Sequence, residues 1–330
     1  MNNNDLIKTG FVNEDVPKNI NLVDEILKLK KEKNAIIMAH YYQVKEIQEI
    51  ADVVGDSLAL AQHAAKTDAD IILLSGVFFM GETAKILSPD KKVLIPDLNA
   101  GCSLADSAPA DKFEEFVKKH PDHVVVTYVN TTAAVKALSD YTVTSTNAVA
   151  IINSLPKDQP ILFGPDKHLG NYLESISGKQ MLLWDGACHV HEKFSVEKIL
   201  ELKEQNPDAE IIAHPECTQP LLLISDFIGS TSALLNRTIT SEKTKFIVAT
   251  ESGILHQMQK KSPDKTFIPA PPNDSTCACN DCEFMKLNSL KKIYLALKYE
   301  QPEVIVEESV REKAIIPINR MLEISEKMNL

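Results

Sequence analysis

"NAIIMAHYYQVKEIQEIADVVGDSLALAQHAAK", residues 34–66, decides the fold. "NAIIMAH" is a short apolar run with a polar end at His40, the pattern of a buried strand. "VKEIQEI" and "LALAQHAAK" carry apolar residues at helical spacing, and between them Ser57 closes a second strand and opens a helix. A strand apolar on both faces, followed by a helix and a second strand, predicts a parallel sheet covered by helices.

The pattern then recurs. "DIILLSG", "KVLIPD", "HVVVTY", "YTVTS", "PILFG", "MLLWD", "EIIAH", "DFIGS", "KFIVAT" and "KTFIPA" read as further strands. His40, Tyr128 and His214 each end a strand. Seventeen residues on stand Ser57, Ser145 and Thr231; thirty-six on, Gly76, Gly164 and Thr250; fifty-seven on, Asp97, Asp185 and Pro271. Four columns in three copies predict one β-α-β-α-β-α-β unit used three times. The expected domains are 22–108, 109–193 and 194–275, with 276–330 a ligand segment and C-terminal helices, and 1–21 a partly frayed lead-in. The fold class is α/β: three homologous three-layer αβα domains with parallel sheets around a pseudo-threefold axis.

A cysteine follows each unit: Cys102 in "NAGCSLAD", Cys188 in "DGACHVHE", and one of Cys277, Cys279 and Cys282 in "DSTCACNDCEFM". A threefold arrangement would bring one thiolate per copy to a common point. Three thiolates suit a [4Fe–4S] cluster with one open iron, a Lewis acid for a substrate oxygen. Cys282 is the expected third ligand, because it directly precedes the amphipathic segment "EFMKLNSLKKIYLAL", whose N-terminus would favour a thiolate. Cys217, after "HPE" with no counterpart in the other copies, reads as packing.

Ligands of open α/β sheets bind beyond the carboxyl ends of strands. There "GDS", "TST" and "GSTS" place hydroxyls at expected helix N-caps, and three such ends converging would bind anions. "AHYYQ" offers His40 and Tyr42, "CHVHE" offers His189 and His191, and "AHPEC" offers His214 and Glu216. Glu216 suits acid/base work if burial raises its pKa.

Composition is that of a soluble protein with no apolar run long enough to span a membrane, and a cytoplasmic location is expected. Hydrophobic residues make up 44% and charged residues 25% of the 330, and 46 acidic against 35 basic side chains give a net charge of −11. That balance argues against a nucleic-acid partner, which wants a basic face. Six cysteines in a reducing compartment favour metal ligation or catalysis over disulfides.

From about Ile36 to Leu322 the chain resembles the quinolinate synthases. The resemblance is carried by "AHYYQ", "GDSLAL", "FFMGETAKIL", "IPDLNAGCSLAD", "TYVNTTAAVKA", "FGPDKHLG", "WDGACHVHE", "HPEC", "DFIGSTSAL" and "ATESGILH", in that order. It implies three related domains around a central cavity and a [4Fe–4S] cluster held by Cys102, Cys188 and Cys282. It also implies condensation of iminoaspartate with dihydroxyacetone phosphate to quinolinate, phosphate and water in NAD biosynthesis, with iminoaspartate supplied by an aspartate oxidase or dehydrogenase. His40 and Tyr42 would then hold substrate, with Ser57 on a carboxylate or phosphate. Tyr128, Asn130 and Ser145 would line the cavity. His191, His214 and Glu216 would move protons, and Ser230 and Thr231 would bind the anionic end. Some members of the family carry C-x-x-C-x-x-C in the last segment, where this chain has Thr276 at the first position. A redox role for an upstream pair is therefore not carried over. The rivals are another cluster-dependent hydro-lyase and a non-catalytic iron–sulfur sensor, and a sensor needs no such polar lining.

Overall fold

The computed structural model describes residues 6–273 and 280–330. Among these, three four-stranded sheets stand out, in the orders β2-β1-β3-β4, β6-β5-β7-β8 and β10-β9-β11-β12. The strands of the first sheet are β1 Ala35–His40, β2 Val53–Gly55, β3 Ile71–Ser75 and β4 Lys92–Leu94. Those of the second are β5 Val124–Tyr128, β6 Tyr141–Val143, β7 Ile161–Gly164 and β8 Met181–Leu183. β9 Glu210–Ala213, β10 Phe227–Ile228, β11 Lys245–Ala249 and β12 Thr266–Pro269 make up the third. Every pairing within the sheets is parallel, and helices alternate with the strands. The fold is α/β with three layered αβα domains.

The three sheets share a register. His40 pairs with Gly55, Tyr128 with Val143 and Ala213 with Ile228. One device repeated three times sets this alignment. The carboxylate of Asp52 accepts the backbone N–H of Ile37 at 2.9 Å, Asp140 that of Val125 at 2.8 Å, and Asp226 that of Ile211 at 2.8 Å. Each aspartate's own N–H donates to the carbonyl of the same strand residue. This two-way clasp joins the start of the second strand to the first, and a slip by one residue would break both bonds. Replacing Asp140 by alanine should cost about 1–2 kcal/mol, since a hydrogen bond to a charged group is lost from a half-buried position. The measurement is the urea midpoint, and an unchanged midpoint would remove the clasp from the stabilising interactions.

The contacts divide the chain into two compact units, Met1–Cys102 with Glu283–Ile315, and Ser103–Cys282 with Ile316–Leu330. The first holds the first sheet. Its core brings Ile37, Ala39, Leu73 and Leu94 against Ile26 of the helix Leu22–Glu32 and Ile293–Leu297 of the helix Leu290–Tyr299. Part of the stretch expected to fray is packed here. Val12 lies in that core beside Ile7, Val16 and Ile20, and the Lys292 ammonium sits 4.3 Å from the Phe11 ring centroid. The apolar spacing of those residues is too irregular to announce an element, yet each finds a place against the sheet.

The second unit holds the other two sheets, each with its own core. Phe113, Val125, Val135 and Leu162 form one, and Ile199, Ile211, Cys217, Leu221 and Ile247 the other. No helix among the described residues is long and apolar enough to cross a membrane.

Candidate active site

Within the second unit the strand ends bring six of the expected residues into one hydrogen-bonded network. Its centre is Glu216, buried to 3% exposure three residues past the end of β9. The Tyr128 hydroxyl, at the end of β5, donates to Glu216 Oε1 at 2.6 Å. His191 Nδ1 lies 3.1 Å from Glu216 Oε2. His214 Nδ1 accepts the backbone N–H of Glu216 at 3.3 Å and stands 3.7 Å from Oε1, beyond hydrogen-bond reach. Its Nε2 stands 3.2 Å from the Ser145 hydroxyl. The two imidazoles stack at 4.7 Å between centroids.

Burial works to raise the Glu216 carboxyl, as the sequence reading expects, but the other influences win. The charges of His191 and His214, with hydrogen bonds from His191 and Tyr128, bring it down to about 2. Glu216 is therefore a carboxylate at neutral pH. Asp166, fully buried, goes the other way: burial and then the charge of Glu216 push it well above the usual range. Asp166 accepts the N–H of Leu169 at 2.7 Å, capping the helix Lys167–Ser177, and that of Cys188 at 3.3 Å. It fixes the backbone from which Cys188 projects, and nothing in the sequence spacing singled it out.

Cys188 Sγ lies 3.2 Å from His191 Nδ1. Cys188, His191 and Glu216 each offer one donor atom, all within 4.8 Å of one another. A soft thiolate, an imidazole and a carboxylate at that spacing fit a metal cofactor. Thr250 Oγ1 stands 3.0 Å from His191 Nε2, fixing the ring from the far side. His189 turns away, its Nδ1 2.5 Å from the Ser103 hydroxyl. Cys217 is buried in the core with its thiol 3.4 Å from the carbonyl of Ala249, and its pKa is raised by burial and then by Glu216. It is packing.

A family model described as "NadA: Quinolinate synthetase A protein" matches residues 24–323. The chain belongs to the quinolinate synthase family. Curated relatives named quinolinate synthase agree with this. That of Thermosynechococcus vestitus is 56% identical over 309 residues, 94% of this chain and 97% of the relative. That of Chloroherpeton thalassium is 54% identical over 306 residues, covering 93% and 95%. That of Synechocystis is 57% identical over 304 residues, covering 92% and 95%. As a quinolinate synthase family member the chain is an enzyme.

In this quinolinate synthase family member the other expected residues have separate surroundings. In the first unit His40 is buried, accepts the N–H of Tyr42 on Nδ1 at 3.2 Å, and meets the Tyr42 ring edge-on at 4.5 Å. Its arrangement matches that of His214, whose Nδ1 also accepts the N–H two residues on. Cys102 is half-buried and outside any disulfide. In the second unit Asn130 follows Tyr128 by two residues and is half-buried.

Two local expectations are corrected. Ser57 is not an N-cap but the first residue of the helix Ser57–Lys66, whereas "GSTS" does supply a capping hydroxyl, that of Ser230, with Thr231 opening the helix Thr231–Thr240. Asp56 and Ser230 cap these helices, accepting from Ala59 at 3.0 Å and Ala233 at 3.3 Å. Ser145 sits in a turn, three residues before the helix Ala148–Ser154. Asp56 wins its cap because a carboxylate both accepts the N–H and meets the positive helix end.

Nor does Cys282 open a helix. Ser289 caps Leu290–Tyr299, leaving only a single short turn at Met285–Leu287 between. What fixes Cys282 is Glu251, a buried carboxylate that accepts the Cys282 N–H at 3.1 Å and the Gly253 N–H at 2.7 Å. Next to it Ser252 bonds Asp281, and Asn280 donates to the carbonyl of Val190, two residues past Cys188. Cys277 and Cys279 lie outside the described residues.

Proposed function

We propose that this chain condenses iminoaspartate with dihydroxyacetone phosphate, giving quinolinate, phosphate and water. The observation that carries the reading is the Glu216 network: an ionised buried carboxylate between two imidazoles and a phenol, beside the Cys188 sulfur. Family membership favours the same reaction.

The three αβα domains, 22–108, 109–193 and 194–275, stand about a pseudo-threefold axis in this reading, with the substrate site at its centre. Cys102, Cys188 and Cys282 hold a [4Fe–4S] cluster. The donor chemistry fits, since Cys102, Cys188 and Cys282 are half-buried cysteines outside any disulfide while Cys217 is sealed in a core. When bound, the cluster supplies a Lewis-acidic iron for the hydroxyl that leaves.

The chain's own residues do the rest. Glu216 and His191, 3.1 Å apart, exchange the protons released in the tautomerisations, and His214 acts through Nε2, which faces Ser145. Tyr128 donates to Glu216 Oε1 and keeps the carboxylate aligned. His40, Tyr42, Ser57, Asn130, Ser230 and Thr231 hold the two anionic substrates. An aspartate oxidase or dehydrogenase supplies the iminoaspartate, and the protein works in the cytoplasm without nucleic-acid or membrane partners.

The test is protein purified without oxygen, analysed for iron and sulfide, and given freshly generated iminoaspartate with dihydroxyacetone phosphate. Quinolinate should accumulate, with phosphate released in equal amount. Iron- and sulfide-loaded protein that consumes neither substrate would exclude the reading.

A further inference from the structure

The loop after the first strand of a repeat is fastened in the same way in two of the three copies. In the first, the Gln48 side-chain amide reaches back seven residues to the carbonyl of Tyr41 at 2.9 Å and five to that of Gln43 at 2.8 Å. In the second, the Lys136 ammonium reaches back seven residues to the carbonyl of Val129 at 2.8 Å and five to that of Thr131. Both side chains stand eight residues past their anchors, His40 and Tyr128, and both are buried, Lys136 completely. The third copy has Leu222 at this station.

A neutral amide thus suffices to hold such a loop. The second copy does the same work with a cation, and burying an ammonium is far more costly than burying an amide. The loop concerned carries Tyr128 and Asn130. The peptide joining Val129 to Asn130 is trans, so with its carbonyl turned to the ammonium its N–H faces the opposite way. Among the described residues that N–H has no partner.

We infer that Lys136 is a positioning residue of the substrate site, and that its charge as well as its reach serves the binding of anions at the Tyr128–Asn130 loop. The ammonium holds the loop by two carbonyls and polarises their peptides so that the outward N–H is the more strongly positive. In a protein with a net charge of −11 it is a local source of positive potential beneath a loop that meets dianions. This rests on the quinolinate reading above.

The experiment compares Lys136→Gln and Lys136→Met with the parent protein, all loaded with iron and sulfide. Quinolinate itself, a dianion, is the probe, titrated at low and high salt alongside melting temperature and steady-state kinetics. Lys136→Gln should melt close to the parent, as the Gln48 station shows an amide can do. It should bind quinolinate about tenfold more weakly, with a shallower salt dependence and a raised KM at little cost in kcat. Lys136→Met, which removes both donors, should lower the melting temperature as well. Parent-like quinolinate affinity and salt dependence in Lys136→Gln would reduce Lys136 to a structural peg and overturn the inference. So would unfolding of Lys136→Gln, because the charge would then be serving the fold. A parent protein that neither makes nor binds quinolinate overturns the reading itself and this inference with it, so the two failures are told apart.

Discussion

Glu216→Gln should lower quinolinate formation by about two to four orders of magnitude while bound iron stays at the parent level. The substitution keeps the volume and one oxygen, so Tyr128 can still donate at that position. It removes the negative charge that His191 and His214 flank and the group proposed to exchange protons with His191. The acid side gives a second readout. A carboxyl held near 2 in the fold, against about 4.3 in an unfolded chain, stabilises the fold above that higher value and ceases to do so as the pH falls toward 2. Acid unfolding of the parent should therefore be steeper in that window than that of the variant. Near-parent turnover in Glu216→Gln would take the proton-accepting role away from Glu216.

The second large effect concerns the thiols. Cys188→Ser and Cys282→Ser should each lose the bound iron and the brown colour, from about four irons per chain, together with all turnover. Cys102→Ser should do the same. Cys217→Ser should keep its iron, because that thiol is sealed among Leu221, Ile211 and Ile247 and faces the carbonyl of Ala249. Its cost falls on stability instead, as a buried hydroxyl replaces a small apolar group. Iron retained in full by Cys282→Ser would show that another thiol of the final segment is the ligand.

Much of the scaffold was legible because a parallel sheet constrains chain length. Each crossover must span a strand and return, so spacing from His40 to Ser57 or from Tyr128 to Ser145 survives as a pattern even where residue types differ. The strands themselves were legible as apolar runs buried on both faces. Details within one turn were not. Asp56 and Ser57 are both good capping residues, and only the backbone decides which stands outside the helix. The segment after Cys282 has the apolar spacing of a helix, yet Asn288 and Ser289 interrupt it. Asn288 is buried with its amide on the carbonyl of Gly76, and Ser289 starts the true helix. Least legible were the carboxylates that act on backbone: Asp52, Asp140, Asp226, Asp166 and Glu251. Each is one acidic residue among 46, and its partner is a main-chain N–H that leaves no mark in the sequence.

The site follows the same division. Tyr128, His191, His214 and Glu216 drew attention because imidazole, phenol and carboxylate at strand ends suit proton transfer. The low pKa of Glu216 could not be read there, since it depends on how closely two imidazoles approach, and that distance belongs to the fold.

A strand pair locked by a carboxylate fifteen residues away carries its alignment within itself. Copying such a unit copies the alignment too, at little cost in chain entropy because the closed loop is short. The tips of the strands are then released from any duty to keep the sheet in order, and they can diverge one copy at a time. Station for station they have: imidazole, phenol, imidazole at 40, 128 and 214, and amide, ammonium, isobutyl at 48, 136 and 222. Three copies of one strand frame thereby carry side chains that differ from copy to copy at the same station.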